Sequence, residues 1–366
     1  MSEFLIVGGG VIGMMLAREL AVSGADVTLL DRQQCARESS WAGGGIVSPL
    51  YPWRYKEPVT QLATWSQSSY VHLAQELEED TGCDPELRQK GMFLVSVDDA
   101  DAAVDWARQY HRPMARVDAE FLYRKEPNLK PGHEQAIWMP EVSSIRNPRL
   151  GRALREDVKR RDNIRLLEDH QVQGFILEGE RVLGVETSQG RVCAGDTILT
   201  AGAWTGQLLE SLGLTLPVAP VRGQMMLFKA PVGLVNRVVL MDGRYVIPRN
   251  DGRVLVGSTL EYTGFEKGTT EEARASLYET ALNIVPQLAE YEVEHHWCGL
   301  RPGSPEGIPY IGALPGYRNL HVNAGQFRNG LVLAPASTRL QADLLLGRQP
   351  IIDPTPYELS ARLEQS

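Results

Sequence analysis

The stretch Phe4-Leu-Ile-Val-Gly-Gly-Gly-Val-Ile-Gly13 constrains this 366-residue chain more than any other. Four apolar residues suit a buried strand. Gly8, Gly10 and Gly13 then satisfy the spacing G-x-G-x-x-G just before a helical pattern over residues 11–23, with Ile12, Leu16 and Leu20 near helical spacing. Gly24 closes that helix, and residues 25–30 read as a second strand ending at Asp31. Together they form a βαβ unit, the context that turns a weak motif into a dinucleotide-binding expectation. Gly8 permits the tight turn, Gly10 lets a pyrophosphate approach the backbone, and Gly13 lets the helix pack close to the strand. The helix start at Val11 and Ile12 offers free N–H groups and a partial positive charge to phosphates. Asp31 is placed to accept hydrogen bonds from ribose hydroxyls and to repel a 2′-phosphate.

The remaining chain predicts helices over residues 67–81, 99–109, 148–161, 270–285 and about 331–346, and strands over 93–97, 291–300 and 320–325. Residues 172–200 alternate apolar runs with Gly179, Gly190 and Gly195, which reads as a meander returning to the first sheet. Residues 218–257 carry several further strand-like runs. The strand–glycine–helix logic of the N-terminus recurs near residues 202 and 325. The expected fold class is therefore α/β, with a Rossmann-like dinucleotide-binding lobe assembled from discontinuous segments. Beside it stands a β-rich substrate lobe with a mixed sheet and flanking helices. The boundaries expected are 1–85, 145–215 and 300–366 for the cofactor lobe, and 86–144 and 216–299 for the substrate lobe.

Composition excludes several classes. Forty-six acidic residues against 37 basic ones leave a net charge of −9, which argues against a dedicated nucleic-acid binder. Mean hydropathy is −0.22, and no apolar run approaches the roughly 18 residues of a membrane span. The apolar N-terminal run has no basic segment before it and no suitable cleavage site after it, so it reads as a strand and not as a signal peptide. Cys35, Cys83, Cys193 and Cys298 form no CxxC pair, which suits reduced thiols in a cytoplasmic protein. His295 and His296 are neighbours on a strand and point to opposite faces, so no metal is expected there. The basic run Lys159-Arg160-Arg161 reads as a solvated helix end.

The glycine motif by itself does not separate FAD from NAD. Three further segments favour the longer cofactor, because FAD touches several loops. They are Ser39-Ser40 with residues 43–47, the small-residue strand end at residues 200–204, and the glycine-bearing loop at residues 325–330.

The segments Ala42-Gly-Gly-Gly-Ile-Val47, Thr200-Ala-Gly-Ala-Trp204, Val221-Arg-Gly-Gln224, Tyr245-Val-Ile-Pro-Arg249, Gly299-Leu-Arg-Pro-Gly303 and Gly325-Gln-Phe-Arg-Asn-Gly330 follow the N-terminal motif in order. With them the chain resembles the FAD-dependent D-amino-acid oxidase and glycine/sarcosine oxidase superfamily, and within it the glycine oxidases of thiamine biosynthesis. The resemblance implies non-covalent FAD and a small amino acid held over the flavin. It makes Arg301 the residue that grips the substrate carboxylate, Tyr245 a hydroxyl that helps hold it, and Arg328 a substrate-side residue. It assigns FAD contacts to Val11, Ile12, Asp31, Arg32, Ser39, Ser40, Gly44, Gly45 and Ile46, to Val172 by its backbone, and to Gln326, Phe327, Arg328, Asn329, Gly330, Leu331 and Val332.

The implied reaction moves a hydride from the substrate Cα to flavin N5 and passes the electrons to O₂, giving hydrogen peroxide. The substrate is glycine, sarcosine or a small D-amino acid, and the imine hydrolyses to a 2-oxo acid and ammonia or feeds thiazole synthesis. A neutral amine needs no general base, because its lone pair drives the hydride out. A homotetramer is implied as well. A D-amino-acid dehydrogenase handing electrons to a quinone is the alternative, and a flavin-binding subunit without turnover is a third reading. Two departures, Arg244 and the aromatic residues 51–55, bear on the pocket entrance. Cys298, close before Arg301, stands where some sarcosine oxidases attach flavin, but the glycine-oxidase likeness argues against such a link.

Overall fold

The strand β1 (Ser2–Val7) buries its last four residues completely or nearly so, as a strand does when it is covered on both faces. In the computed structural model, which describes residues 2–363, it lies between two parallel neighbours. One is β2 (Val27–Leu30), in register from Phe4 opposite Val27 to Val7 opposite Leu30. The other is the second half of the strand Gly190–Leu199. The helix α1 (Val11–Val22) connects β1 to β2 and buries Met14, Leu16 and Leu20. This parallel ladder continues on one side to Ile164–Leu167 and on the other to Leu320–Ala324, where Tyr310–Ala313 adds an antiparallel edge.

The expected meander is present, and its last strand belongs to two ladders. Gly190–Leu199 pairs antiparallel with Arg181–Thr187 through Cys193 and parallel with β1 from Ala194 onward. Asn319 ties the two parts together. Its Oδ1 accepts from Val182 N–H at 2.9 Å and its Nδ2 donates to the Val182 carbonyl at 2.7 Å.

A second eight-stranded sheet runs in the order Val293–Gly303, Ala219–Phe228, Val254–Gly257, Arg244–Pro248, Val238–Met241, Met92–Val95, Gln135–Met139, Ala115–Asp118. It is antiparallel except where Met92–Val95 lies parallel to Val238–Met241. The helix Glu271–Ile284 packs its buried residues Leu277, Ala281 and Ile284 into the core of this sheet. Ile46–Val47, Ser143–Ser144 and Arg88–Gln89 form a small third sheet between the two. Among the described residues no helix is long and apolar enough to cross a membrane.

Several elements differ from the expectation. The helix expected over residues 67–81 begins at Glu57, because Pro58 occupies a first-turn position where its missing N–H is harmless. The helix Ala119–Lys125 was not expected. Asp118 caps it by accepting from Phe121 N–H at 2.8 Å. Ile164–Leu167 and Tyr310–Ala313 were also not expected as strands. They are four residues each, and only the neighbouring ladder decides their conformation.

Asn319→Ala leaves the buried Val182 N–H and C=O without partners. It is expected to cost about 3 kcal/mol of stability, read as a lower denaturant midpoint of the apoprotein. A change below about 1 kcal/mol would remove Asn319 as the joint between meander and sheet.

Candidate active site

The C-terminal end of β1 delivers the chain into a turn held from three directions. Gly9 N–H donates to Asp31 Oδ2 at 2.7 Å, and Gln33 N–H donates to Asp31 Oδ1 at 3.0 Å. Thr200 Oγ1 donates to the Gly8 carbonyl at 2.7 Å. Val11 N–H, at the start of α1, donates to Ser40 Oγ at 2.9 Å. A Cβ on Gly13 would run into the Gly8 carbonyl and stand 2.8 Å from Thr200 Oγ1. Gly13 therefore sits behind the turn and does not line the cleft, so its part is to let α1 close on the turn.

The other glycines of the motif, Gly8 and Gly10, line one long cleft together with Val11, Ile12, Asp31 and Arg32. Ser39, Ser40, Gly44, Gly45, Ile46 and Val172 continue the wall. Gln326, Phe327, Arg328, Asn329, Gly330, Leu331 and Val332 line it as well. Burial pushes the Asp31 carboxyl up, and the hydrogen bonds from Gln33 and Gly9 work against that rise.

Two polar atoms in the cleft wall are buried without a partner, Asn147 Oδ1 and Asn329 Nδ2. A buried acceptor and a buried donor left open are costly unless a ligand meets them. A dinucleotide rich in donors and acceptors suits both, so the residues present fit FAD. Asn147 escaped the sequence reading. Its one signal is an Asn-Pro pair at a helix start, which capping alone explains.

The far end of the cleft is lined by Tyr245, Ser258, Arg301 and Pro302. Arg301 stands on the strand Val293–Gly303, opposite Val221. Its guanidinium lies over Gly223, where a Cβ would overlap it. Arg301 Nη2 donates to Ser258 Oγ at 2.7 Å and Nη1 to the Thr259 carbonyl at 3.2 Å. Burial pushes the Arg301 pKa down; Tyr245 raises it and Arg328 lowers it further.

Arg328 is exposed in the turn Phe327–Asn329. Among the described residues, no carboxylate forms an ion pair with Arg301 or Arg328. Tyr245 is buried, and a Cβ on Gly44 would stand 3.0 Å from its hydroxyl. The phenol thus reaches the glycine loop of the cleft. Ser258 carries no signal in the sequence, since its place depends on where Arg301 ends.

Neither Arg244 nor the aromatic residues 51–55 stand on the cleft wall. Arg244 Nη1 donates to the Ser276 carbonyl at 2.9 Å and to Thr280 Oγ1 at 2.8 Å, so its guanidinium serves the helix Glu271–Ile284. In the aromatic stretch, Trp53 Nε1 donates to Asp99 at 2.7 Å, Arg54 pairs with Asp99 at 2.6 Å, and Tyr51 Oη accepts from Gly243 N–H at 2.9 Å. None of residues 51–55 lines the cleft, although Leu50 does. Cys298 is also off the cleft wall, and its sulfur accepts from Gly268 N–H at 3.2 Å.

A glycine-turn cradle that opens onto a chamber with two arginines and a tyrosine defines a dinucleotide-dependent oxidoreductase. The chain belongs to the FAD dependent oxidoreductase family, whose model matches residues 3–344, and its cofactor is FAD. The glycine oxidase of Pseudomonas aeruginosa is 52% identical over 364 residues, covering 99% of this chain and 100% of that protein. The crystal structure of glycine oxidase from Geobacillus kaustophilus superposes with a TM-score of 0.92 at 28% identity, covering 98% of each chain. The bifunctional protein ThiO/ThiG of Trichormus variabilis is 29% identical over 94% of this chain and 52% of its own length.

The raised pKa of Asp31 has a sign that can be tested. Its contribution to apoprotein stability is complete below the ordinary carboxylate value and is lost as pH rises through the raised one. Asp31→Asn is therefore expected to gain stability relative to the parent apoprotein as pH goes from about 4 to about 7. The same variant should hold FAD roughly tenfold more weakly, measured by fluorescence on cofactor release. Unchanged FAD affinity would discard Asp31 as a ribose ligand.

Proposed function

We propose that this chain is a glycine oxidase acting on glycine, sarcosine and small D-amino acids, with Arg301, Tyr245 and Arg328 as its substrate residues. The observation that carries the reading is a pair of arginines without carboxylate partners beside a buried tyrosine, at one end of an FAD cleft. A cation left unpaired in a partly enclosed site is costly unless an anion completes it. The carboxylate of a small amino acid is such an anion. The full-length likeness to the Pseudomonas aeruginosa glycine oxidase supports the choice of substrate.

Arg301 offers a planar fork that takes a carboxylate through two N–H bonds and so fixes the substrate Cα. Ser258 Oγ and the Thr259 carbonyl hold that fork. Tyr245 adds one hydroxyl donor. Bound FAD supplies the hydride acceptor at the Cα–H and a route for the electron pair to O₂. With the amine neutral, the nitrogen lone pair forms the C=N bond as the hydride leaves, and no side chain is assigned as base. The substrate loses two electrons and two protons, O₂ gains them as H₂O₂, and water converts the imine to a 2-oxo acid and ammonia.

Delivery of the glycine imine to thiazole synthesis belongs to the same proposal. A longer relative described as bifunctional, in which the matched region is about half the length, supports such a hand-over. A cytoplasmic location, a homotetramer, a flavin without a covalent link and the two-lobe division at the boundaries above complete the reading, as does the role of Gly8, Gly10, Val11, Ile12, Asp31, Arg32, Ser39, Ser40, Gly44, Gly45, Ile46, Val172 and residues 326–332 as cofactor contacts, with Gly13 behind the turn.

The test is anaerobic bleaching of the flavin band by glycine, sarcosine, D-alanine, D-proline and L-alanine, followed by air and a peroxide assay. Glycine should bleach the band, and air should restore it with peroxide. Bleaching by larger D-amino acids alone, with slow recolouring and no peroxide, would replace the oxidase with a quinone-linked dehydrogenase. Arg301→Lys should raise the glycine KM by about ten- to a hundredfold, as expected for hydrogen bonds to a charged group.

A further inference from the structure

Arg301 is held by neutral acceptors, and those acceptors are themselves held by a charged cluster on a neighbouring segment. Ser258 and Thr259 follow directly after the strand Val254–Gly257, and the chain then runs out to Tyr262, which is 74% exposed. Between them Glu261 gathers three side chains. Arg222 Nε donates to Glu261 Oε2 at 2.8 Å, and Gln224 Nε2 donates to Glu261 Oε1 at 3.0 Å. Thr259 Oγ1 also donates to Glu261 Oε1.

Gln224 is fully buried, and Arg222 and Thr259 are nearly so. The backbone is tied as well. Arg222 and Glu261 exchange both N–H···O bonds at 2.9 Å, and Gln224 N–H donates to Thr259 Oγ1 at 2.8 Å. Gln224 Oε1 accepts from Thr270 N–H at 3.0 Å, which anchors the start of the next helix. Burial alone would raise the Glu261 pKa, but the hydrogen bonds from Thr259, Arg222 and Gln224 outweigh it and hold the carboxyl below its ordinary value.

The arrangement separates two tasks. A carboxylate placed directly on Arg301 would fix its orientation and also neutralise it. Here the carboxylate sits one step back, neutralises Arg222, and fixes residues 258–259. These present only a hydroxyl and a carbonyl to Arg301. Strand alternation makes this possible: Arg222 and Gln224 face Glu261, while Gly223 between them leaves the space that the Arg301 guanidinium fills.

We propose that Glu261 is a positioning residue for substrate binding: clamped by Arg222 and Gln224, it holds Ser258 and Thr259 so that the Arg301 fork is preset for a carboxylate while keeping its charge. The inference rests on the reading of Arg301 as the carboxylate ligand.

The experiment uses FAD-loaded protein and acetate, an unreactive carboxylate, with binding read from the shift of the flavin absorption band. Four variants are compared with the parent: Glu261→Gln, Thr259→Val, Thr259→Ser and Arg301→Lys. FAD content and the kcat and KM for glycine are measured separately. Glu261→Gln and Thr259→Val should weaken acetate binding and raise the glycine KM about tenfold, the scale of a charge-assisted hydrogen bond. Their kcat and FAD content should stay close to the parent's. Thr259→Ser, which keeps the hydroxyl, should restore binding. If Glu261→Gln and Thr259→Val bind acetate like the parent while Arg301→Lys does not, the inference fails and the reading of Arg301 stands. If Arg301→Lys binds acetate like the parent, that reading fails and takes the inference with it. Loss of FAD from Glu261→Gln and from both Thr259 variants would mark a merely structural role and overturn the proposal.

Discussion

The contact on which the rest of the structure depends is the closure of α1 onto the turn that precedes it. Gly13 meets the Gly8 carbonyl, and Thr200 donates to the same oxygen. Asp31 takes the Gly9 N–H, and a Cβ on Gly9 would collide with the sulfur of Cys35. The ends of three strands therefore converge on a few atoms of backbone. Every distance there is set by the absence of side chains, and protein interiors are too densely packed to absorb an added methyl without a shift. The cleft begins at this point because the strand ends and the helix start are held apart just enough for a ligand to lie on the backbone.

The second eight-stranded sheet reaches that cleft through Arg301 on one strand and Tyr245 on another, and the second of these segments also pins the glycine loop. Tyr245 lies on the strand Arg244–Pro248, and its hydroxyl comes close to Gly44. Arg249, at the end of the strand, donates to the Gly44 carbonyl at 2.8 Å and to the Ile145 carbonyl at 3.1 Å. Its guanidinium is buried, and burial pushes its pKa down to about 10. The residue that pins the glycine loop and the residue proposed to touch the substrate thus sit four positions apart on one segment.

Charge is arranged in two ways in this molecule. Arg155 pairs with Glu168, Arg222 with Glu261, and Arg253 with Glu294. Arg301 and Arg249 meet hydroxyl and carbonyl oxygens instead. Neutral acceptors offset part of the cost of burial and leave the positive charge in place. At Arg249 that charge lies against the glycine loop, and at Arg301 it lies against the open chamber. Arg244 also donates to a carbonyl and a hydroxyl, so what sets Arg301 apart is that its guanidinium, held by neutral acceptors, borders the cleft.

The amino-acid sequence by itself determined the βαβ start, the α/β class, the meander and the glycine turn at which the cleft begins. These follow from local periodicity and from glycines whose spacing has a single economical explanation. Gly13 was legible as the residue that lets the helix pack close, but its contact with Thr200 was not, because that joins segments far apart in the chain. Arg301, Tyr245, Arg328 and most of the cofactor contacts beyond the first turn, Val172 among them, were legible only through resemblance. The chemistry of Arg301 and Tyr245 depends on Ser258, Gly223 and Gly44, none of which is a neighbour in sequence. Asn147, the true direction of Arg244 and the clamp around Glu261 were decided by tertiary structure alone. A polar side chain's partner is set by which strands and loops lie within hydrogen-bond reach, and a one-dimensional pattern carries no such distance.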